Sequence, residues 1–207
     1  VFEKGRDRDA ARPIPFDADR PAVEAARRDP RRFEALYRKY VAQIYSYALY
    51  ETRDHHAAED LTEQVFLNAL RALPRFREGG LDEGSTFRVW LFRIARNALS
   101  NARRTERRHP QAPLELAAQV AAADDPARSA VERDEVARAW RAIERLPQER
   151  RRALVLRFVE EMSAREIGAV LGRTEGAVRV LIHRALRSVA EDLGHEEAAE
   201  RRHWWSR

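Results

Sequence analysis

Apolar residues recur at steps of three and four from about residue 21 onward, and the breaks in that rhythm divide the chain. Phe33, Leu36, Tyr37, Tyr40, Val41 and Ile44 share one face at about 3.6 residues per turn, and Tyr47 and Ala48 continue it. The spacing predicts one helix growing out of a helical pattern that starts near Pro21. Thr52 to His56 is a polar break. Ala57 to Leu73 is helical again, with Leu61, Val65, Ala69 and Leu73 as its buried stripe and Asp60, Glu63, Gln64 and Asn68 as its polar face. Pro74 stops it. Residues 75–86 form a loop by their glycines and acids, and a third helix runs from about Phe87 to Arg104, with Phe87, Leu91, Ile94 and Ala98 inward.

The rhythm fails twice more. Residues 1–20 mix charges with Pro13 and Pro15 and read as a flexible arm. Residues 109–130 are rich in alanine and proline, carry Asp124 and Asp125, and read as a linker. Beyond it, Val131 to Leu146 is a helix containing Val136, Trp140 and Ile143. Pro147 breaks the chain, and Leu154, Val155 and Phe158 begin the next helix. The pattern therefore predicts an all-α protein of two small helical domains, residues 21–108 and 131–194, with a polar tail at 195–207 that includes Trp204 and Trp205.

The sharpest local signal lies between Ser163 and Val189. Ser163 with Glu166 is a capping box, and Ile167, Val170 and Leu171 form a short apolar face. Gly172 can end the helix in the left-handed conformation, and Thr174 can cap a second helix reaching about Val189. Two short helices joined by a tight glycine turn predict a helix-turn-helix, whose second helix enters the major groove of DNA. That second helix has two faces. Val178, Ile182, Ala185 and Val189 turn inward with Leu181 at their flank, while Gly176, Arg179, Val180, His183, Arg184 and Arg187 turn outward. Three arginines on a solvent face match phosphate, although a lone basic helix can equally be a solvated surface.

A second stripe has nucleic-acid character. Trp90, Arg93, Asn97, Ser100 and Arg104 align along one side of the third helix. An exposed tryptophan stacks on unpaired bases, arginines hold phosphates, and asparagine bonds a base edge. The bland alternative buries Trp90 in the core. Arg103, Arg104, Arg107 and Arg108 make the same end strongly basic, which favours nucleic acid.

Composition narrows the class without deciding it. The 207 residues can bury one or two cores, and a net charge of +5 from 39 basic and 34 acidic residues is too modest to prove nucleic-acid binding. With no cysteine, disulfides and thiolate metal sites are excluded, which fits a reducing cytosol. There is no apolar run of about eighteen residues and no signal-like N-terminal stretch, so a soluble, cytoplasmic protein without membrane insertion is expected. An enzyme is a poor fit. His55 and His56 are adjacent, so they cannot share a helical face, and neither a phosphate-cradling glycine motif nor a nucleophile–base set appears. No cofactor or metal is expected.

Two motif blocks in order carry a family resemblance. DLTEQVFLNAL (60–70), followed by STFRVWLFRIARNAL (85–99), resembles the second conserved region of bacterial sigma factors, and residues 142–186 resemble their fourth region. The short linker between them resembles that of the extracytoplasmic-function (ECF) group of the sigma-70 family. The resemblance implies a dissociable promoter-specificity subunit of RNA polymerase. Asp60, Glu63, Gln64 and Phe66 would then dock on the clamp coiled coil of core polymerase, and the fourth region on its flap. Phe76, Arg77, Trp90, Arg93, Asn97, Ser100 and Arg104 fall where the family meets the non-template single strand of the −10 element. The loop between Phe76 and Phe87 is longer than the family's usual loop, which captures a flipped base.

Thr174, Glu175, Arg179, Val180, His183, Arg184 and Arg187 fall where the family reads −35 duplex DNA. Here Val180 and Leu181 replace the common Ser and Arg of the recognition helix, and an apolar contact of Val180 with a thymine methyl is expected. By the same resemblance the linker threads toward the polymerase cleft, and an anti-sigma protein is a candidate partner. The competing reading is a stand-alone helix-turn-helix regulator, which has no need of a strand-binding stripe.

Overall fold

The computed structural model describes residues 19–77, 86–108 and 130–205. Its eight α-helices among these residues are α1 (Arg20–Arg28), α2 (Glu34–Thr52), α3 (His55–Ala72), α4 (Thr86–Arg108), α5 (Ala130–Arg145), α6 (Gln148–Leu154), α7 (Ala164–Leu171) and α8 (Glu175–Trp205). Residues 1–18, 78–85, 109–129, 206 and 207 lie outside the described residues. With them go the expectations for the N-terminal arm, the loop that would hold a flipped base, and Asp124 and Asp125 of the linker.

The first bundle is α1 to α4. The helical pattern that begins near Pro21 is not continuous with the one around Phe33. Asp29 precedes Pro30, and the proline ring pushes it into extended backbone (φ −138°, ψ 107°). The chain turns there through a short 3-10 segment, Pro30–Phe33, capped by the Asp29 carboxylate. The α2–α3 corner is equally local. Arg53 takes a left-handed conformation (φ 60°), and Asp54 accepts a hydrogen bond from the Ala57 amide at 2.7 Å, capping α3. Leu36, Tyr40, Ile44 and Tyr47 from α2 meet Val65, Ala69 and Leu73 in a dry core.

Helix α4 departs from its predicted single buried stripe. Phe87 and Leu91 are buried as expected, but Ile94 and Ala98 are only partly so. Val89, Phe92, Ala95 and Leu99 are buried as well. The reason is that α4 has neighbours on two sides, α2 and α3 on one and α7 on the other.

The second bundle contains α5 to α8. Between α6 and α7 the backbone widens into one π-helical turn, Val155–Val159, in which Val155 and Leu156 are buried and Phe158 is 60% exposed. Helix α8 also exceeds its predicted end near Val189 and runs to Trp205, so residues 195–205 continue the helix instead of forming a separate tail. Glu196, Glu197, Ala198, Ala199, Glu200 and Arg201 are good helix formers, and a lone Gly194 within them does not stop the helix.

Candidate nucleic-acid interface

The helix-turn-helix forms as its sequence dictates. The Ser163 hydroxyl accepts from the Glu166 amide at 3.2 Å, and the Glu166 carboxylate accepts from the Ser163 amide at 2.9 Å, completing the capping box. Gly172 adopts φ 69°, where a side chain would be strained. Gly168 is needed for a different reason. A Cβ there would stand 2.6 Å from the Arg173 carbonyl oxygen, so only glycine lets α7 approach the turn this closely. Thr174 then caps α8 by accepting from the Ala177 amide at 3.2 Å.

With the turn fixed, α8 presents the face its sequence predicted. Val178 and Ala185 are fully buried and Leu181, Ile182 and Val189 partly so, while Arg179, Val180, His183, Arg184 and Arg187 are exposed. Val180 is half exposed, an apolar side chain in a basic surface. Arg179 pairs with Glu175 at 2.5 Å and Arg187 with Glu191 at 2.8 Å, each one turn away. These exposed pairs hold the guanidinium groups extended and give way cheaply to a stronger anion. Beside α8 lies a cleft lined by Arg157, Ser163, Arg165, Arg179 and His183. Arg157 and Arg165 carry no mark in the sequence, because they lie outside α8 and only the fold brings them beside Arg179 and His183.

On α4 the stripe splits into two environments. Arg93, Asn97, Ser100 and Arg104 are exposed along one line, and the Ser100 hydroxyl donates to the Arg96 carbonyl at 2.9 Å. Trp90 is partly buried, its ring centroid 4.8 Å from that of Phe76 and 5.5 Å from that of Phe87. Phe76 is only 4% exposed, so it supports Trp90 from beneath and is not itself open to a base. Arg77 beside it is exposed. The helix thus carries an aromatic anchor at one end of a polar, basic track.

A third surface lies on α2 and α3. Asp60, Glu63 and Gln64 are exposed, and Gln64 donates to Asn68 at 2.9 Å. Phe66 does not join that face. It is 5% exposed and packs edge-on against Tyr37 at 4.8 Å. Tyr37 and Leu67, 43% and 39% exposed, supply the accessible apolar area of an open groove that Phe33, Val41, Glu63 and Leu70 also line. Tyr37 shares the helical spacing of its buried neighbours, which is why the pattern placed it inside.

Among the described residues no three His, Asp or Glu side chains are grouped so as to hold a metal, and no helix is long and apolar enough to cross a membrane.

The chain thus presents two exposed basic surfaces, the outward face of the helix-turn-helix and the track along α4. Residues 36–109 match Sigma-70 region 2, and residues 137–189 match Sigma-70, region 4. The ECF RNA polymerase sigma factor SigD of Mycobacterium tuberculosis is 37% identical over 66% of this chain, although the match spans only 63% of SigD. The ECF RNA polymerase sigma factor ShbA of Streptomyces griseus is 34% identical over 66% of this chain and 73% of its own length. Among solved structures, CnrH in complex with the cytosolic domain of CnrY superposes with a TM-score of 0.62 at 25% identity, covering 86% of this chain and 99% of that one. The chain belongs to the ECF group of the RNA polymerase sigma factor family.

Proposed function

We propose that the chain is a dissociable, non-enzymatic specificity subunit that binds core RNA polymerase in the cytoplasm and directs initiation at its own promoters. The observation that carries this reading is the presence, on one chain, of two separate exposed basic surfaces of different chemistry. The recognition face of α8 is built for duplex DNA, with arginines for phosphate and Val180 and His183 for base edges. The track of Trp90, Arg93, Asn97, Ser100 and Arg104 suits a single strand, whose exposed bases stack on an aromatic ring. Holding duplex at one point and an opened strand at another is what promoter melting requires. A stand-alone regulator needs only the first surface.

In this reading residues 21–108 dock on the polymerase clamp and engage the −10 element, and residues 131–194 engage the flap and the −35 element. Glu34, Glu59 and Glu63 line the apolar groove of Tyr37 and Leu67, with Asp60 and Gln64 exposed on the same helix as Glu63, an arrangement of charged rim and apolar centre typical of protein interfaces. CnrH is seen in complex with another protein, the cytosolic domain of CnrY, and a protein that withholds this chain from polymerase, an anti-sigma protein, is a candidate partner here too. Charge reversal at Asp60 and Glu63 tests the docking assignment. Asp60→Arg with Glu63→Arg abolishes binding to core polymerase in a gel-shift assay while binding of a −35 duplex persists. Retained core binding would refute the assignment of that face.

A further inference from the structure

Among the described residues, Val180 is the one large apolar side chain that stands exposed within the basic face of α8. Tyr37, Leu67 and Phe158 are exposed on other elements, and Leu186 lines the cleft beside Arg157. At helical spacing the neighbours of Val180 are Gly176 and Ala177 on the turn before it, and His183 and Arg184 on the turn after. All four are exposed. Helical side chains lean toward the N-terminus, so the Val180 methyls lie over the turn that holds Gly176 and Ala177. Neither of those residues has a side chain long enough to cover them.

Gly176 has no internal reason to be glycine. Its backbone is not left-handed, and a Cβ built there would meet nothing within 4 Å. Glycine in a helix costs stability relative to alanine, and bare backbone is useful where a ligand must come close. The missing side chain leaves the Val180 methyls open to a partner outside the chain.

The polar groups around this patch are already engaged or lie further along. Glu175 is paired with Arg179 at 2.5 Å, and the Thr174 hydroxyl caps the helix. In a helix-turn-helix the N-terminal residues of the second helix meet the base edges. Here the middle of that stretch offers only carbon. A hydrogen-bonding base edge pressed against it would lose water and gain no partner, which is costly. The one group in the major groove that gains from the contact is the methyl at C5 of a pyrimidine. Thymine always carries that methyl. Cytosine carries it in the same place once it is methylated.

We infer that Val180 reads a pyrimidine C5 methyl in the −35 element, and that methylation of a cytosine at that position strengthens binding as a thymine there does. This role for Val180 rests on the proposed function, in which the outward face of α8 meets duplex DNA, and adds to it a covalent mark on DNA as a regulator of promoter choice. Valine treats thymine and 5-methylcytosine alike, because both present the same methyl. His183 one turn on does not exclude either base, since an imidazole ring both donates and accepts.

The test exchanges single methyl groups on the DNA. The full chain bound to core polymerase first selects its preferred −35 element from randomised duplexes. Each pyrimidine of that element, on either strand, is then varied among thymine, uracil, cytosine and 5-methylcytosine. Within each pair of bases only the methyl differs. At one position thymine should bind about fourfold more tightly than uracil, and 5-methylcytosine about fourfold more tightly than cytosine, the factor that about 0.8 kcal/mol for one buried methyl represents. Val180→Ser, at an exposed site, should bring both ratios close to one, with helical circular dichroism unchanged. Equal binding of thymine and uracil at every position would overturn the inference. Full ratios retained in Val180→Ser would overturn it too, because the methyl would then act through DNA shape. Failure to select any sequence would instead overturn the functional reading, and the role of Val180 would fall with it.

Discussion

Glu160 offers a quantitative check on the packing around it. It is 3% exposed, lies in the turn between α6 and α7, and one of its carboxylate oxygens finds no hydrogen-bond partner among the described residues. Burial pushes its carboxyl up from 4.5 to about 7, against the opposing pull of Arg88 and of a hydrogen bond from Ser46. Lys39, Tyr40, Gln43, Glu161 and Glu166 line the same recess, and burial, with the Glu160 charge adding to it, raises the Tyr50 hydroxyl above its usual value. A carboxyl raised in the folded state favours folding while it stays protonated. Its contribution is complete below about 4.5 and is lost as pH rises through about 7. At about 1.4 kcal/mol per pH unit, the interval from 4.5 to about 7 amounts to about 3 kcal/mol at pH 8.

Glu160→Gln keeps the shape and removes the charge. Thermal unfolding of both proteins from pH 4.5 to 9 should show coincident stabilities at the acid end and a gap that widens with pH. At pH 8 the variant should be about 3 kcal/mol more stable, roughly 10 °C in Tm for a chain of this size. Parallel profiles would show instead that Glu160 reaches water in the folded protein and is not held protonated by burial.

Three further outcomes follow from the helix-turn-helix. Gly168→Ala should destabilise the protein by about 2 kcal/mol in urea unfolding, because the new methyl meets backbone at 2.6 Å and the turn must shift; a change under about 0.5 kcal/mol would show that the turn has slack. Arg184→Ala should weaken binding of a −35 duplex and reduce the dependence of log K on log salt by about one contact; an unchanged slope would place Arg184 away from phosphate. Val180→Ser should change which base is preferred at one −35 position, read by selection from randomised duplexes, and an unchanged preference would remove Val180 from base reading.

Much of the fold was legible because helices advertise themselves locally. The capping box at Ser163 and the left-handed Gly172 act within a few residues, and both are found where the pattern put them. The outward face of α8 follows from periodicity alone. What could not be read depends on distant partners or on a single backbone choice. The bend at Asp29 comes from one proline inside an otherwise helical stretch. Phe66 and Phe76 carry no local mark that distinguishes an aromatic support from an aromatic contact; only packing against Tyr37 and Trp90 decides it. The contact between the bundles was invisible, because Glu51 and Arg152 each look like ordinary helix-surface charges until a residue 101 positions away pairs with them.

Transcription in vitro separates a polymerase subunit from a free-standing regulator. Purified chain is added to core RNA polymerase and bacterial genomic DNA, and transcript 5′ ends are mapped. Discrete start sites are expected, each preceded by a common pair of elements, and they vanish when Arg93→Ala and Asn97→Ala are combined. No transcripts, with a duplex footprint from the chain alone, would contradict it and make the protein a free-standing regulator.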